Sequence, residues 1–561
     1  MKRVEHALKR QLSENREAPY PDDFESMWSR MEEAGHTAPV MIVNPEPAAP
    51  RRHRNWRKMI IAASLSALLV VGVPVYAAIN YNWGKMLDGR EGVQTALEQN
   101  LGQTLGQSVT KDGIKLTLHT AVVDEKRTVI LYTLDVDKHT DNEYWGVEGT
   151  SLTGEAGNSD PKIYSHSYLQ WDEENHRYNG YFESDWAPQQ ETSKAKLSID
   201  SLRLYQPKQL EFPKINLNTT AEQTISLGQD GLRDVKVQVF EQGEKLMLSS
   251  AITFDSLEAK EWANPQIVPY KNGKPIKTLP GSSYGTPGKN GEYTAMQYFN
   301  RADLADEQIV YKLDYAKVEK SIAEPIRFDL ELSKKQMESG TTKVALGVPL
   351  EQADKDIIIE DMTVTPAQIR VNLRSKKTDY NFPYLKHSLS VNGKTLEGRQ
   401  GRYPEGDPGL MPMSFERPAG LTITKDTPIL FTAKHKITYH KEDKEPLVLT
   451  NISEKKQTLM RETGGYPVKW TYYKQGPDLY VETESEDTRF AGVNQTYIKK
   501  GKERIIGWPT APRFFGSDNN KSIDVYKDFK GTEASIYMFY YATQDRDAVA
   551  SVQLQPQQAG K

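Results

Sequence analysis

The sequence contains no cysteine among its 561 residues. Disulfide frameworks, cysteine nucleophiles, CxxC redox sites and cysteine-ligated zinc are therefore excluded. A chain without covalent cross-links must be stabilised by hydrophobic cores, and at roughly 100–200 residues per domain this chain needs several of them.

An excess of either charge is also lacking. Lysine and arginine number 72, aspartate and glutamate number 76, and the formal net charge is −4. Because both signs are mixed along the chain, the composition indicates a solvated surface without a basic face for nucleic acid. We therefore expect no direct nucleic-acid partner.

The sequence offers no convincing catalytic motif. GSSYG at residues 281–285 formally matches GxSxG, but Pro280 precedes it and Thr286 and Pro287 follow it. We expect a flexible loop there, whereas a nucleophile elbow requires a strand before the serine and a helix after it. Neither HExxH nor GxxxxGK[ST] occurs. We predict no catalytic residue, no cofactor and no enzymatic activity.

Potential metal ligands are not clustered in the sequence either. Alternation along a strand would place His435 and His440 on opposite faces. The acidic segment that holds Asp135, Asp137 and Asp141 lacks the glycine and the distal glutamate of a calcium loop. The sequence therefore predicts no metal site.

One long apolar run is present. Residues 59–79 contain no charged side chain. At about 1.5 Å per helical residue they would reach roughly 31 Å, which matches the hydrocarbon core of a bilayer. A membrane helix tolerates Pro74 and the small residues of this run better than a soluble helix does. The run predicts one transmembrane helix, with a buried core helix as the alternative.

The flanks of this run predict its orientation. Basic residues stay on the cytoplasmic side, so the N-terminus is predicted inside and residues 80–561 outside. A signal peptide is the competing interpretation, because Val75-Tyr76-Ala77 resembles a small-x-small cleavage site and Ala78 follows it, but the 58 preceding residues are too many for one. An uncleaved anchor is favoured, and cleavage near Ala77 or Ala78 stays open. The orienting basic residues are Arg51, Arg52, Arg54, Arg57 and Lys58.

Residues 1–58 are predicted to form a short helical cytoplasmic segment of two helices and a linker, and the second helix carries an apolar stripe. Phe24, Met27, Trp28 and Met31 recur at i, i+3, i+4 and i+7, which is one apolar stripe on a helix. So short a segment cannot bury the stripe in a core of its own, and groove-binding helices present such a stripe. We predict that these four residues bind a partner. The alternatives are packing between the two cytoplasmic helices or contact with the membrane.

The exported part begins with one more helical pattern. Val93, Leu97, Leu101 and Leu105 are spaced four apart and predict an amphipathic helix that packs on the following domain.

Four later segments each show two alternating runs around a polar turn, the pattern of a β-hairpin with one buried face. They start roughly 110–120 residues apart, which suits a series of immunoglobulin-like sandwiches. The segments are 112–136, 231–254, 354–375 and 466–487.

The predicted fold is therefore mostly β, with tandem immunoglobulin-like β-sandwich domains outside the membrane. The first domain includes the helix next to the membrane. The predicted domains are 80–215, 216–340, 341–450 and 451–561.

A resemblance joins these elements. The charged N-terminal segment, the apolar run ending VGVPVYAA and the stretch SVTKDGIKLTLHTAVVDEKRTVILYTLDV resemble Gram-positive membrane proteins grouped as domain of unknown function 4179, over residues 55–145. Residues 225–340 are similar to the companion domain of unknown function 5643. The resemblance implies a single-pass envelope protein that acts like the anti-sigma regulator of an extracytoplasmic-function sigma factor, and it transfers no site residues.

Two functions follow as hypotheses. In the first, the cytoplasmic helices bind a sigma factor, the exported domains sense the envelope, and release comes by proteolysis near the span or by conformational change. In the second, the chain is a surface-anchored binding or structural protein. Its aromatic-rich segment 165–182 would then contact cell-wall polymer or another envelope protein.

Overall fold

A computed structural model describes most of the part of the chain that was predicted to be exported. The predicted cytoplasmic segment with Phe24, Met27, Trp28 and Met31, the basic residues from Arg51 to Lys58 and the predicted span (59–79) all lie outside the described residues. Within the described part, no helix is long and apolar enough to cross a membrane. The described residues are 86–87, 89–154, 165–288, 291–306, 308–350, 356–377, 382–401, 407–441, 445–501, 503–511 and 519–555.

The described chain is mostly β, as predicted. Its helices are α1 (Glu91–Glu98), α2 (Leu257–Trp262), α3 (Arg301–Leu304) and α4 (Lys335–Glu338). The strands up to residue 212 are β1 (Gln103–Lys111), β2 (Ile114–Asp124), β3 (Arg127–Asp135), β4 (Tyr144–Glu148), β5 (Ser151–Gly154), β6 (Ser165–Asp172), β7 (Arg177–Ser184), β8 (Thr192–Ile199) and β9 (Ser201–Phe212).

The strands of the middle part are β10 (Gln223–Gln229), β11 (Leu232–Gln242), β12 (Lys245–Phe254), β13 (Gln266–Lys271), β14 (Lys274–Pro275), β15 (Ser283–Pro287), β16 (Tyr293–Asn300), β17 (Val310–Ile322), β18 (Ile326–Ser333), β19 (Thr342–Pro349), β20 (Ile357–Val364), β21 (Gln368–Ser375), β22 (Tyr384–Val391), β23 (Lys394–Gln400), β24 (Leu410–Glu416) and β25 (Ile429–Lys441). The last strands are β26 (Leu447–Leu449), β27 (Gln457–Thr463), β28 (Tyr466–Gln475), β29 (Asp478–Glu484), β30 (Phe490–Val493), β31 (Thr496–Lys500), β32 (Glu503–Ile506), β33 (Trp508–Ala511), β34 (Ser522–Tyr526), β35 (Ala534–Met538) and β36 (Tyr540–Gln555).

The first two sandwiches share long strands. In the first sandwich, the sheet β1-β2-β3-β7-β6 packs on β18-β8-β5 around Leu118, Phe182 and Leu330. In the second, β10-β11-β12-β16-β15 packs on β14-β13-β17-β9-β4 around Val237 and Phe299. Strand β9 pairs with β4 at its start and with β17 along nearly its whole length, so one ladder runs from the first core into the second.

The third sandwich is one sheet that closes over a single core. Its order is β19-β20-β21-β24-β23-β22-β25-β36-β30. Strand β23 pairs with β22 through its first residues and with β24 through Gly398 and its neighbours, so it passes from one layer to the other. A Cβ on Gly398 would lie 2.5 Å from side-chain atoms of both His387 and Phe415, and the crossing therefore requires glycine.

The fourth sandwich is inserted between two strands of the third. Its sheets β26-β35-β31-β32 and β27-β28-β29-β34-β33 enclose the buried Trp470. The last strand, β36, then returns to pair with β25 from Ile429↔Gln555 to Lys441↔Tyr540. Strand β18 makes a similar return from the second sandwich to β8 of the first. The domain boundaries predicted at 216, 341 and 451 divide the chain into consecutive segments, so they separate β18 and β36 from the strands with which these two pair. The immunoglobulin-like topology stays a prediction.

The four sandwiches contact one another in a closed cycle. The first and second share β9 and β17, and the third and fourth share β25 and β36. The second and fourth meet at a buried cluster that includes Phe240, Tyr298, Tyr473 and Tyr480. The first and third meet around α1, where Val93 and Ala367 share one cluster.

Local sequence determines several of the hairpins. In the turn between β1 and β2, Asp112 and Gly113 have φ of +47° and +81°, and between β22 and β23, Asn392 and Gly393 have +49° and +82°. Two successive positive φ angles are typical of a type I′ turn, which Asp-Gly and Asn-Gly adopt at little cost and whose twist matches the strands. The four hairpins predicted from alternation are confirmed as β2–β3, β11–β12, β20–β21 and β28–β29.

The predicted helix around Val93 is shorter than its spacing implied. Helix α1 ends at Glu98, Asn100 is left-handed with φ of +57°, and Leu105 lies on β1. Leu105 keeps the four-residue spacing although it lies beyond the helix. It is apolar because it packs on the first core from strand β1. The prediction that the apolar edge of this helix packs on the following domain is confirmed.

The flexible loop predicted at GSSYG is wrong. Ser283–Pro287 form the edge strand β15, which pairs with β16. Ser282 Oγ donates to the carbonyl of Leu279 at 2.9 Å and accepts from Tyr298 N at 3.0 Å. Ser282 therefore stabilises the turn that precedes this edge strand by hydrogen bonds to the backbone.

The return of β36 makes a prediction about stability. Ala550 is fully buried in the third core, whereas its neighbour Val549 is 49% exposed. Ala550→Asp should lower the free energy of unfolding by about 3 kcal/mol or more, because it buries an unpaired charge. Val549→Asp, the matched control, should change it by less than about 0.5 kcal/mol. Urea unfolding of the full chain followed by pulse proteolysis measures both, and equal effects would contradict the assignment of β36 to this core.

Candidate functional site

Two features of the described chain bear on function. The first is the junction, formed by α1, the β2–β3 hairpin, Glu183, Glu416 and the turn between β20 and β21. The second is the groove, an open depression on the first sandwich between β4, β6 and the loop at residues 136–143. The junction is built from buried apolar and charged groups, and the groove from half-exposed aromatic and acidic ones.

Apolar packing holds α1 in the junction. Val93 and Ala96 are fully buried against Val129 and Leu131 on the outer face of the first sandwich. On the other side, the helix backbone touches the third sandwich so closely that a Cβ on Gly92 would lie 1.6 Å from the carbonyl oxygen of Ala367. The helix is therefore clamped between two sandwiches.

A network of buried charges surrounds the helix. Arg90 Nε donates to Glu183 Oε2 at 2.7 Å, and Arg127 Nη1 donates to Glu416 Oε1 at 2.5 Å. Glu416 Oε2 accepts from Gly92 N at 3.2 Å, so one carboxylate of the third sandwich binds both the first sandwich and the helix. Burial alone would lower the pKa of Arg127, but Glu416 and Glu183 outweigh it and raise that pKa.

The hairpin turn between β2 and β3 also binds the third sandwich directly. Asp124 Oδ2 accepts a hydrogen bond from Thr365 Oγ1 at 2.9 Å, and Lys343 Nζ lies 3.0 Å from Glu125 Oε2. Burial raises the pKa of the Asp124 carboxyl, although the Arg127 charge and the hydrogen bonds oppose this effect. The junction thus contains ion pairs and, beside them, a hydrogen bond from a hydroxyl group to a buried carboxyl group.

The junction can couple the position of α1 to those of the two sandwiches, but its groups do not indicate a chemical reaction. Its charged groups are paired with one another and are largely shielded from solvent, with side chains of Arg127 and Glu183 about one-tenth exposed. Removal of one partner would leave a buried charge uncompensated, at a cost of about 3–5 kcal/mol. The relative position of the first and third sandwiches is therefore closely coupled to that of α1.

Aromatic side chains form the wall of the groove. The His139 ring stacks on Trp171, with ring centroids 3.8 Å apart and planes inclined by 15°. Tyr178 packs edge-on against both rings. Tyr144 stacks on Tyr205 at 5.2 Å and is 42% exposed at the rim. The groove has a volume of about 580 Å³ and is open to solvent on one side.

Acidic side chains form the rest of the lining. Asp141 and Glu143 come from the loop before β4, and Glu173 comes from the turn after β6. The ligand atoms of His139, Asp141 and Glu173 all lie within 4.8 Å of one another. Three carboxylates in one depression give it a negative potential, which favours cationic or neutral ligands over anionic ones.

Asp172 fixes the turn that presents Glu173. Its Oδ1 accepts from the backbone N of Glu174 at 3.1 Å, and its Oδ2 accepts from the side chains of Asn175 and Asn179, both at 2.7 Å. Burial alone would raise the pKa of Asp172, but these hydrogen bonds outweigh it and lower that pKa. The turn is therefore held in place by bonds to an ionised carboxylate.

The sequence pointed to parts of the groove without assembling them. The aromatic-rich segment 165–182 forms the β6–β7 hairpin, and its Trp171 and Tyr178 do lie in the groove. Of the three aspartates rejected as calcium ligands, only Asp141 lies there, together with His139, Glu143 and Tyr144 from the same segment. His139 and Glu173 come together from loops 34 residues apart, so no local spacing could have revealed them.

Comparison with known families supports one resemblance. Residues 51–135 match the family described as domain of unknown function (DUF4179). The matched stretch contains the predicted span, α1 and strands β1 to β3. The similarity of residues 225–340 to domain of unknown function 5643 stays a prediction. No curated protein matches the chain.

Two solved structures show distant similarities to this chain. A conserved domain protein from Bacillus anthracis matches with 11% identity and a TM-score of 0.16, over 42% of this chain and 92% of its own. FdeC, a broadly conserved Escherichia coli adhesin, matches with 11% identity and a TM-score of 0.10, over 58% of this chain and 94% of its own. At these scores neither similarity supports an argument about fold or function.

The clamped helix predicts the effect of one added methyl group. Gly92→Ala should displace α1 from Ala367 and raise the amide hydrogen exchange of residues 91–98 at least tenfold, because the new Cβ cannot fit. Without docking, the same change should slow exchange, since alanine favours a helix over glycine by about 1 kcal/mol. Glu98→Ala at an exposed position of the same helix is the control. Slower exchange in Gly92→Ala would contradict the clamp.

Proposed function

We propose that this chain is a single-pass membrane protein of the cell envelope that acts like an anti-sigma regulator. Its cytoplasmic helices bind a sigma factor, and its exported β domains sense the envelope. The observation that carries the proposal is the junction. Helix α1, directly after the predicted span, is held between two sandwiches by Gly92, Arg127 and Glu416.

The position of α1 suits a role in coupling. Residues 80–90 separate it from the predicted span, and even fully extended they would reach only about 40 Å. A change in the contact between the first and third sandwiches would alter the helix first, because both sandwiches bind it. Displacement of α1 would change tension or protease access just outside the bilayer. Both routes of release considered from the sequence begin there.

The family match supports the same arrangement. It covers the predicted span, α1 and the β2–β3 hairpin as one stretch, 51–135. Arg90 and Arg127, which bind Glu183 and Glu416 in the junction, lie within it. The residues that link membrane and sandwich thus belong to the stretch through which this chain is similar to that family.

On the cytoplasmic side, the proposal depends on the apolar stripe of the second helix. Phe24 and Trp28 supply the large aromatic surface that anchors such helices in a groove, and each anchor is typically worth about 2 kcal/mol or more. We expect Met27 and Met31 to complete the contact, because flexible thioether side chains fill irregular apolar surfaces.

Capture from the native cell tests sigma-factor binding. The full chain is purified from membranes under mild detergent, and co-purifying proteins are identified by mass spectrometry. Replacement of both Phe24 and Trp28 by alanine should reduce recovery of a sigma factor more than tenfold, because it removes both anchors. Glu32→Gln on the polar side of the same helix should leave recovery unchanged. Equal recovery with all three proteins, or no sigma factor with any, would contradict the proposal.

A separate experiment tests the coupling through α1. In cells that carry a reporter for the captured sigma factor, Gly92→Ala should raise sigma-dependent transcription although Phe24 and Trp28 are intact. Unchanged transcription, in a variant whose helix has been shown to leave Ala367 by hydrogen exchange, would contradict coupling through α1 and leave sigma-factor binding standing.

The groove favours a second function, that of a surface-anchored binding protein for cell-wall polymer. Stacked aromatic rings beside carboxylates suit a sugar, whose apolar face packs on a ring while its hydroxyl groups donate to the acids. The negative potential of Asp141, Glu143 and Glu173 favours a neutral or amino sugar over a phosphate-rich polymer.

Sedimentation with purified cell walls tests this second function. Tyr144→Ala should weaken retention of the full chain about tenfold, because one stacking contact is worth about 1 kcal/mol or slightly more. Tyr439→Ala is the matched control, since Tyr439 is 46% exposed on the third sandwich and lies outside the groove. Equal retention of the two variants would exclude the groove as the polymer site.

A further inference from the structure

We propose that the groove binds a divalent transition-metal cation of the zinc type through His139, Asp141 and Glu173. The proposal concerns this groove alone and holds whether or not the chain binds a sigma factor or a wall polymer. It stands on the convergence of three ligand atoms in an open depression and on the orientation of the histidine that supplies one of them.

The ligand set indicates the class of cation. One imidazole nitrogen and two carboxylate oxygens are common zinc ligands, and imidazole also suits other late first-row metals. Calcium and magnesium prefer oxygen ligands throughout, so a histidine in the set disfavours them. The chain has no cysteine, and a softer thiolate site cannot compete within it.

His139 is oriented as metal-binding histidines are. Its Nδ1 lies 3.0 Å from the hydroxyl oxygen of Tyr178, and its ring is stacked on Trp171. Metal-bound histidines commonly donate the N–H of the nitrogen that does not bind metal to a fixed acceptor, which sets the tautomer. With Nδ1–H donating to Tyr178, the lone pair of Nε2 is available for the cation.

Zinc binding would require the three ligand atoms to move closer to one another. Ligand atoms around a tetrahedral zinc with bonds of about 2.1 Å lie about 3.4 Å apart. The three atoms now lie within 4.8 Å of one another. Asp141 and Glu173 have exposed side chains that can change rotamer, while Trp171 and Tyr178 hold His139 in place. Closure by about 1–1.5 Å therefore falls on the two freely moving ligands.

The fourth coordination position would face the open groove. Glu143 is the next carboxylate, but its Oε2 already accepts a hydrogen bond from Thr140 Oγ1 at 2.7 Å. Three protein ligands with an open position leave room for water or for an oxygen of a bound molecule. Cation binding would also offset the Coulombic repulsion between the Asp141 and Glu173 carboxylates.

The test uses the full chain in detergent, purified through an affinity tag without histidine and stripped of metal with a chelator. Zinc chloride is titrated by isothermal titration calorimetry. We expect saturable binding of one zinc ion per chain, weakened at least tenfold by Asp141→Asn and by Glu173→Gln. Both side chains are exposed, so these variants should keep the fold. His139→Gln should abolish the binding.

Matched controls come from the same hairpin turn. Glu174→Gln and His176→Asn change a neighbouring carboxylate and a neighbouring imidazole, and asparagine tolerates the positive φ of +49° at position 176. Both controls should bind zinc like the wild type. Unchanged binding in Asp141→Asn and Glu173→Gln, or an equal loss in the controls, would overturn the proposal.

Cobalt chloride gives an independent readout of the ligands. A visible absorption band from protein-bound cobalt should appear with the wild type and be lost in Asp141→Asn, and it cannot arise from thiolate because the chain has none. Calcium chloride at the same concentration should give no detectable heat. Binding of calcium in place of zinc would overturn the assignment of the cation class.

Discussion

Long antiparallel ladders between strands that are distant in sequence hold this protein together. Strand β17 pairs with β9 from Tyr311↔Phe212 to Ile322↔Leu202, and β36 pairs with β25 from Lys441↔Tyr540 to Ile429↔Gln555. Each ladder passes through two cores, so neither sandwich of a pair can lose its partner without breaking backbone hydrogen bonds. In a chain without cysteine, these ladders provide the continuity between domains without covalent cross-links.

Two side-chain contacts then close the cycle of sandwiches, and they differ in kind. The contact between the second and fourth is largely aromatic and apolar, with Tyr473 and Tyr480 stacked at 5.4 Å. The contact between the first and third contains Arg127, Glu183 and Glu416 in a nearly buried network. Hydrophobic attraction has no preferred direction, whereas a buried charge that loses its partner costs about 3–5 kcal/mol. The junction is therefore the more specific of the two contacts, and it is the one that holds α1.

The groove lies on the first sandwich but apart from the junction, and the two differ in the environment of their charged groups. Its Asp141 and Glu173 carboxylates are exposed and repel each other, beside the stacked rings of His139 and Trp171. Ligand binding there would act on β4, which pairs with β9 and through it with β17. The groove is thus attached to the ladder that joins the first and second sandwiches.

Sequence reasoning succeeded where the relevant contacts are local. The alternation of Val235, Val237 and Val239 and the apolar edge of α1 each express a short-range rule, and the structure contains the corresponding hairpin and packed helix. It failed where the four-residue spacing of a helix continued past the end of α1. Leu105 fits that spacing but lies on strand β1.

By itself the sequence determined that the chain is mostly β, that it relies on cores without covalent cross-links, and that four hairpins recur along it, because composition and alternation depend only on neighbouring residues. Only the tertiary structure decided which strands return to earlier sandwiches, that Glu416 meets Arg127 across 289 residues, and that His139, Asp141 and Glu173 converge. These contacts join distant segments, and nothing in the local pattern of either segment specifies its partner.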